Sequence, residues 1–138
     1  FLLKSSALPL AKVIESDLLT VSADAKLGHL VELVKISKRN IFPVINEKEE
    51  LQGIITLDDV RDVMFDEEAR QNIEVKSLMQ KPPTEVYPYD DMQTVMNKFE
   101  VTQAWNLPVI DEGKYLGLVS KSRIFNAYRK KLILQDKE

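Results

Sequence analysis

The 138-residue sequence has no cysteine, which excludes disulfides and thiolate metal sites and suits a reducing cytosol. It has one histidine, His29, between Gly28 and Leu30 with no partner ligands in sequence; it reads as a helix-face residue, not a metal or catalytic group. These two scarcities leave an enzyme few nucleophile–base pairs, and carboxylates are the main catalytic groups left. An excess of positive charge is missing too. Lys and Arg number 19 against 22 Asp and Glu, a formal net charge of −3, whereas a nucleic-acid binder presents a basic face. No apolar run approaches the roughly 18 residues a membrane helix needs, and the opening does not read as a signal peptide. The chain begins Phe1-Leu2-Leu3-Lys4 without a methionine. That start reads as a fragment of a longer protein, with Phe1-Leu2-Leu3 either ending something apolar upstream or beginning a helix.

What is present is a hydrophobic fraction of 44%, ordinary for a folded chain, in a length that fits one domain or two small halves sharing a core. Asn40-Ile41-Phe42-Pro43-Val44-Ile45-Asn46, a charged turn at Glu47–Glu50, and Gly53-Ile54-Ile55-Thr56 predict a β-hairpin over Ile41–Ile45 and Leu51–Thr56. Its strands are rich in β-branched residues, as strands covered on both faces tend to be. The stretch returns as Asn106-Leu107-Pro108-Val109-Ile110-Asp111 and Gly117-Leu118-Val119-Ser120. Pro108 follows Pro43 by 108 − 43 = 65 residues, and Gly117 follows Gly53 by 117 − 53 = 64, so the second turn is one residue shorter. Leu27, Leu30, Val31 and Val34 form one helical stripe, and Met92, Val95, Met96 and Phe99 repeat it 92 − 27 = 65 residues later.

The remaining elements follow the same duplication. A short helix over Leu8–Ile14, with Pro9 in its first turn, is matched by Val75–Met79. A strand over Leu18–Val21 is matched by Thr84-Glu85-Val86, and Asp24 is a candidate cap for the helix after it. Helices are expected from Leu57 to about Phe65 and from Lys121 to about Leu134. The polar stretch from Asp66 to Asn72 reads as a linker with helical character, its acids as a solvated face more than a cation site. The fold class is α/β (α+β), two β-α-β-β-α units in tandem. Neither half could bury its apolar stripe alone, so a pseudo-twofold pair with clefts between the halves is expected.

These residues resemble the cystathionine-β-synthase (CBS) domain: a Pro-Val-Ile strand, a turn, Gly-apolar-apolar-Thr/Ser and a helix, preceded by a strand and helix. Two in tandem resemble a CBS pair, or Bateman module. On that resemblance residues 1–9 are an upstream linker, 10–65 the first repeat, 66–74 a linker, 75–130 the second repeat and 131–138 a tail. The resemblance implies a non-enzymatic cytosolic regulatory module that requires no cofactor. It also implies AMP, ADP or ATP as possible ligands in the inter-repeat clefts, and a homodimer formed through the CBS helices. A narrower resemblance, carried by Lys38–Val44, Ala104–Val109 and Gly117–Asn126, is to the CBS tails of bacterial CLC-type chloride channels and transporters. It implies an attached membrane transport domain and a place at the cytosolic face of the cell membrane. Magnesium transporters and nucleotide enzymes are the other hosts, and a ligand-free dimerisation scaffold is the other function.

The resemblance carries the nucleotide position onto Thr20, Val21, Thr56 and Asp59, and onto Ser120 and Arg123 in the second repeat. An ionised Asp59 can accept hydrogen bonds from both hydroxyls of a ribose, while a hydroxyl and free N–H groups at a helix start can receive phosphate. Thr56 three residues before Asp59 is equally the pattern of a capping box. Gly53 permits close backbone approach. In the second repeat Arg123 replaces the acid, and an arginine cannot accept from a ribose diol. Lys121 and Arg123 oppose the helix dipole unless an anion or carboxylate is near. Tyr87 and Tyr89 either stack on a base or pack over a turn, Trp105 anchors core or an interface, and Arg129-Lys130-Lys131 is a solvated helix end or faces anionic lipid.

Overall fold

A computed structural model describes residues 10–136. Residues 1–9 and 137–138, and with them the expected helix start at Leu8, lie outside the described residues. The chain divides into two compact units. One comprises 17–82 with 113–115; the other comprises the described parts of 1–16, 83–112 and 116–138.

In the first of these units α1 (Leu27–Ile36) buries Leu27, Leu30 and Val31, the stripe read from the sequence. Lys26 occupies its N-cap position without a side-chain hydrogen bond. Asp24, expected there, instead accepts from Lys76 Nζ at 3.1 Å. Strands β1 (Ile41–Ile45) and β2 (Leu51–Thr56) pair antiparallel, Ile41 opposite Thr56 and Val44 opposite Gly53, with an irregularity after Val44. The turn between them is tied by Asn46 Oδ1, which accepts from the N–H groups of Lys48 and Glu50, both at 2.9 Å. After β2 comes one helical turn, α2 (Leu57–Val60), and then non-helical turns to Phe65, shorter than expected. The polar linker is a helix, α3 (Glu67–Asn72), because Asp66 caps it: Oδ1 accepts from Glu68 N at 2.9 Å and Ala69 N at 3.3 Å.

The strand expected at Leu18–Val21 contracts to one parallel bridge between Val21 and Val44. Val21 N–H donates to the Pro43 carbonyl, and Ile45 N–H donates to the Val21 carbonyl, both at 3.0 Å. Extending that ladder backwards would require an N–H at Pro43 to reach Leu19, and proline has none. The second repeat repeats the interruption. Val86 is bridged to Val109, its N–H reaches the Pro108 carbonyl at 2.8 Å, and the next donor along the strand is Pro108 itself.

The other unit holds α4 (Met92–Thr102), β3 (Asn106–Asp111), β4 (Lys114–Ser120, of which 114 and 115 group with the first unit) and α5 (Lys121–Asp136). Asp91 Oδ1 caps α4 through Thr94 N at 2.8 Å. Glu112 at φ 50° and Gly113 at φ 83° make the tight β3–β4 turn, where two positive φ values match the twist of a hairpin. The two cores reproduce the sequence repeat. Val21, Leu27, Leu30, Phe42 and Val44 are buried in one, and Val86, Met92, Val95, Leu107 and Val109 in the other.

The leading segments are exchanged between the repeats. Leu10 and Val13, at the start of the first repeat, are buried in the core of the second. Val75, the first residue of the second, is buried in the core of the first. Each segment adds a bridge to the hairpin it joins: Glu15 to Leu118, with hydrogen bonds of 2.8 and 2.9 Å, and Gln80 to Ile54, with two of 2.8 Å. The duplicated glycines explain themselves here. A Cβ on Gly117 would lie 2.5 Å from the Glu15 carbonyl oxygen, and one on Gly53 would lie 2.8 Å from Met79 Sδ. The close approach foreseen at Gly53 is made by the protein's own backbone. Leu10–Lys12 and Val75–Ser77 are single 3₁₀ turns where short helices were expected.

Candidate functional site

Thr56 ends β2 in extended conformation and begins α2, so its hydroxyl faces the free N–H groups of the helix start. Asp59 N–H donates to Thr56 Oγ1 at 3.4 Å, and Asp59 Oδ2 accepts from Thr56 N at 2.8 Å and from Thr56 Oγ1 at 3.1 Å. This is a complete capping box. It uses one carboxylate oxygen of a half-buried Asp59; Oδ1 has no hydrogen bond among the described residues. The box therefore fixes the carboxylate and leaves one oxygen for another donor. Val21 belongs to the same unit, bridged to Val44 three residues along β1 from Ile41, the partner of Thr56. Its side chain is buried and both its backbone groups are bonded to β1, so Val21 has no polar group to offer. Thr20, beside it, is half-buried and retains its hydroxyl.

Ser120 and Arg123 belong to the other unit and keep half of the arrangement. Ser120 Oγ accepts from Arg123 N–H at 3.0 Å, as a cap does, and no acid returns the bond. The Arg123 side chain instead lines an open groove of about 460 Å³, together with Ser122, Asn126 and Lys130 of α5 and Lys12 of the leading segment. Lys121 points elsewhere: its Nζ lies 5.3 Å from the Trp105 ring centroid and 5.9 Å from that of Phe125. Trp105 is 72% exposed and so is no core anchor; it forms a surface stack with that cation.

Tyr87 and Tyr89 stack on each other with centroids 5.4 Å apart and planes 5° from parallel. Lys98 Nζ lies 4.5 Å from the Tyr87 centroid and donates to Asp90 Oδ2 at 2.9 Å and to the Glu85 carbonyl at 2.7 Å. Asp90 in turn accepts from Tyr87 N–H at 2.9 Å. The tyrosines thus pack over a turn, and Tyr89 is exposed. Among the described residues no group of three or more His, Asp or Glu could hold a metal, and no helix is long and apolar enough to cross a membrane. The sequence reading missed Lys12, Ser122 and Asn126 and took Lys130 as part of a solvated or lipid-facing helix end. The spacing of 122, 126 and 130 by four carried the signal for one helix face, but nothing in the sequence brought Lys12 to it.

Two hairpins, each running into a helix that a Thr or Ser hydroxyl caps, with their leading segments exchanged, define a tandem-repeat module. The CBS domain model matches residues 10–66 and 75–130, and the chain belongs to that family of regulatory, non-catalytic domains. The CBS domain of a bacterial CNNM/CorC family Mg²⁺ transporter, solved in complex with ATP, is similar at a TM-score of 0.74 and 20% identity, over 86% of this chain and 84% of that one. CbpB in complex with c-di-AMP is similar at a TM-score of 0.76 and 17% identity, over 98% and 94%. A homoserine O-acetyltransferase of Methanosphaera stadtmanae is 26% identical over 113 residues, 81% of this chain but 22% of that enzyme. The chain thus spans about a fifth of the curated relatives it matches.

Proposed function

We propose that the chain is a non-enzymatic sensor module that binds an adenine nucleotide at Thr56 and Asp59, with the hydroxyl of Thr20, next to Val21, as a further group of the same unit. The carrying observation is the capping box, which fixes the Asp59 carboxylate and leaves Oδ1 unbonded among the described residues. A carboxylate held in this way can accept from a ribose hydroxyl without first losing rotamer freedom. Two neighbours with the same fold were solved with ATP and with c-di-AMP, which supports an adenine nucleotide as the ligand class. The module would act by linkage, binding more tightly to one state of its host, with a coupling of ~1–3 kcal/mol. The host proposed from the segments around Phe42, Trp105 and Arg123 is a CLC-type chloride channel or transporter, with the module at the cytosolic face of the membrane. Likeness to the CorC domain keeps a magnesium transporter as the alternative. A homodimer through the helices is supported by Ile36 and Val101, which occupy matching positions (101 − 36 = 65) and are 72% and 76% exposed; light scattering that finds only monomer would remove it.

Calorimetric titration with ATP, ADP and AMP tests the sensor reading. At least one should bind, and Asp59→Asn, which keeps an oxygen for the Thr56 N–H, should weaken it by about tenfold to a hundredfold through loss of a charged acceptor. If none binds at millimolar concentration, the ligand-free scaffold is the better reading. If one binds and Asp59→Asn leaves its affinity unchanged, the site is misplaced.

A further inference from the structure

The groove on α5 was assembled from side chains whose charges have no internal use. Lys12, Arg123 and Lys130 converge on it, and no carboxylate lines it. The chain has more acids than bases, 22 against 19, and some of its cations pair with those acids. Lys35 pairs with Glu32, Arg61 with Asp58, Lys76 with Asp24 and Glu74, and Lys98 with Asp90. Lys12, Arg123 and Lys130 make no ion pair among the described residues. Three like charges facing one space repel each other, an arrangement that an anion relieves.

The chemistry of the groove narrows the anion. We propose that it is a binding site for the phosphate chain of a di- or triphosphate. Three cations exceed what one carboxylate can neutralise, while a phosphate chain presents several charged oxygens along its length. The Arg123 guanidinium offers a planar fork that suits phosphate oxygens, and each lysine offers a point charge. Ser122, one residue before Arg123, and Asn126, three after it, add a hydroxyl and an amide as further donors. The only apolar lining residues are Val13 and Ala127, so there is no aromatic face for a base to stack on. A volume of about 460 Å³ holds a ligand of nucleotide size, of which this surface would read the phosphates. The site does not depend on the start of α5, because Ser120 Oγ already takes the Arg123 N–H. This proposal rests on the reading of the chain as a ligand-binding module and gives the second repeat a role different from that of the first. Where the first offers an acid to a ribose, the second offers bases to phosphate.

The test uses the full chain at low ionic strength, with inorganic tripolyphosphate, ATP and adenosine as separate probes followed by calorimetry and amide chemical shifts. Tripolyphosphate and ATP should both bind and move the amides of Lys12, Arg123 and Asn126; adenosine should not move them. Arg123→Glu and Lys12→Glu should each weaken tripolyphosphate by at least about tenfold. Lys81→Glu, the same charge change at an exposed site in the other unit, should cost less than about twofold. All three replaced side chains are exposed, and thermal melts will confirm folding. Equal losses in Arg123→Glu and Lys81→Glu would reduce the effect to net charge and overturn the site. ATP binding that depends on Asp59 and not on Arg123 would overturn the groove and keep the sensor reading. Tripolyphosphate binding that depends on Arg123, with no nucleotide dependence on Asp59, would keep the groove and remove the sensor reading at Thr56.

Discussion

Replacing Gly117 by alanine tests the exchange of leading segments at its tightest point. The added methyl group would lie 2.5 Å from the Glu15 carbonyl oxygen and 2.6 Å from Ile14 Cγ2. The Ile14 methyl can turn away. The oxygen cannot easily move, because it accepts from Leu118 N–H at 2.9 Å while Glu15 N–H donates back at 2.8 Å. If strand and segment move apart and stay paired, overpacking of this kind costs about 1–3 kcal/mol. A net loss of about 1–3 kcal/mol is expected, less about 0.4–1 kcal/mol from the stiffer unfolded chain. Gly53→Ala is the internal comparison: its methyl group meets the Met79 sulfur at 2.8 Å and the Gln80 oxygen at 3.0 Å, and a thioether side chain can swing aside. Urea unfolding should rank Gly117→Ala below Gly53→Ala, and hydrogen exchange of the Glu15 and Leu118 amides should quicken in the former. Equal stabilities with unchanged Glu15 protection would refute the reasoning.

Two further outcomes follow from groups outside the sites. Lys98→Met removes the ammonium from Asp90, whose side chain is 9% exposed, leaving that carboxylate with the Tyr87 N–H; a loss of about 2–3 kcal/mol is expected, and a change in urea stability below about 0.5 kcal/mol would refute it. Glu50 is held below the ordinary glutamate value by the hydrogen bond from Asn46, against the opposing effect of burial and with help from the charges of Lys114 and Lys48. A carboxyl lowered on folding adds stability above its unfolded pKa and loses it as pH falls through the folded one. Stability should therefore fall more steeply on acidification in the native chain than in Glu50→Gln, and an NMR midpoint for Glu50 at or above the ordinary value would contradict this.

The duplicated hairpins and the helical stripes were legible because burial wrote them into residue type. Phe42, Val44, Ile55 and Leu27 are fully buried, as are Leu107, Val109 and Val119 in the second repeat. Such positions repeat at a fixed offset whatever the neighbouring loops do. Elements held by tertiary hydrogen bonds were less legible. Leu18–Val21 has the composition of a strand, yet the missing N–H of Pro43 stops its ladder at one bridge. Asp66–Asn72 reads as a linker with helical character because its residues are polar, and the cap by Asp66 is what makes the helix definite. Least legible of all was the exchange. Leu10 and Val13 carry no mark of which core they enter, since either hairpin presents a glycine to a leading segment.

The same distinction explains the sites. Thr56 and Asp59 were visible because a capping box is local: four consecutive residues suffice for both the pattern and the geometry. Its two readings, cap and ligand acceptor, looked like rivals in the sequence. In the structure they divide one carboxylate, Oδ2 serving the helix and Oδ1 remaining unbonded among the described residues. The second repeat shows which half of the pattern the fold needs. Ser120 still caps α5 through Arg123 N–H although the acid is gone, and α5 runs on to Asp136. The returning carboxylate is thus dispensable for starting the helix. The third helical position of α5 holds a cation where that of α2 holds the acid, and the exchanged leading segment brings Lys12 to the same groove. Either alone would be an ordinary exposed side chain. Only the fold makes them one basic surface, so a reading confined to neighbours in sequence found Arg123 and missed the groove.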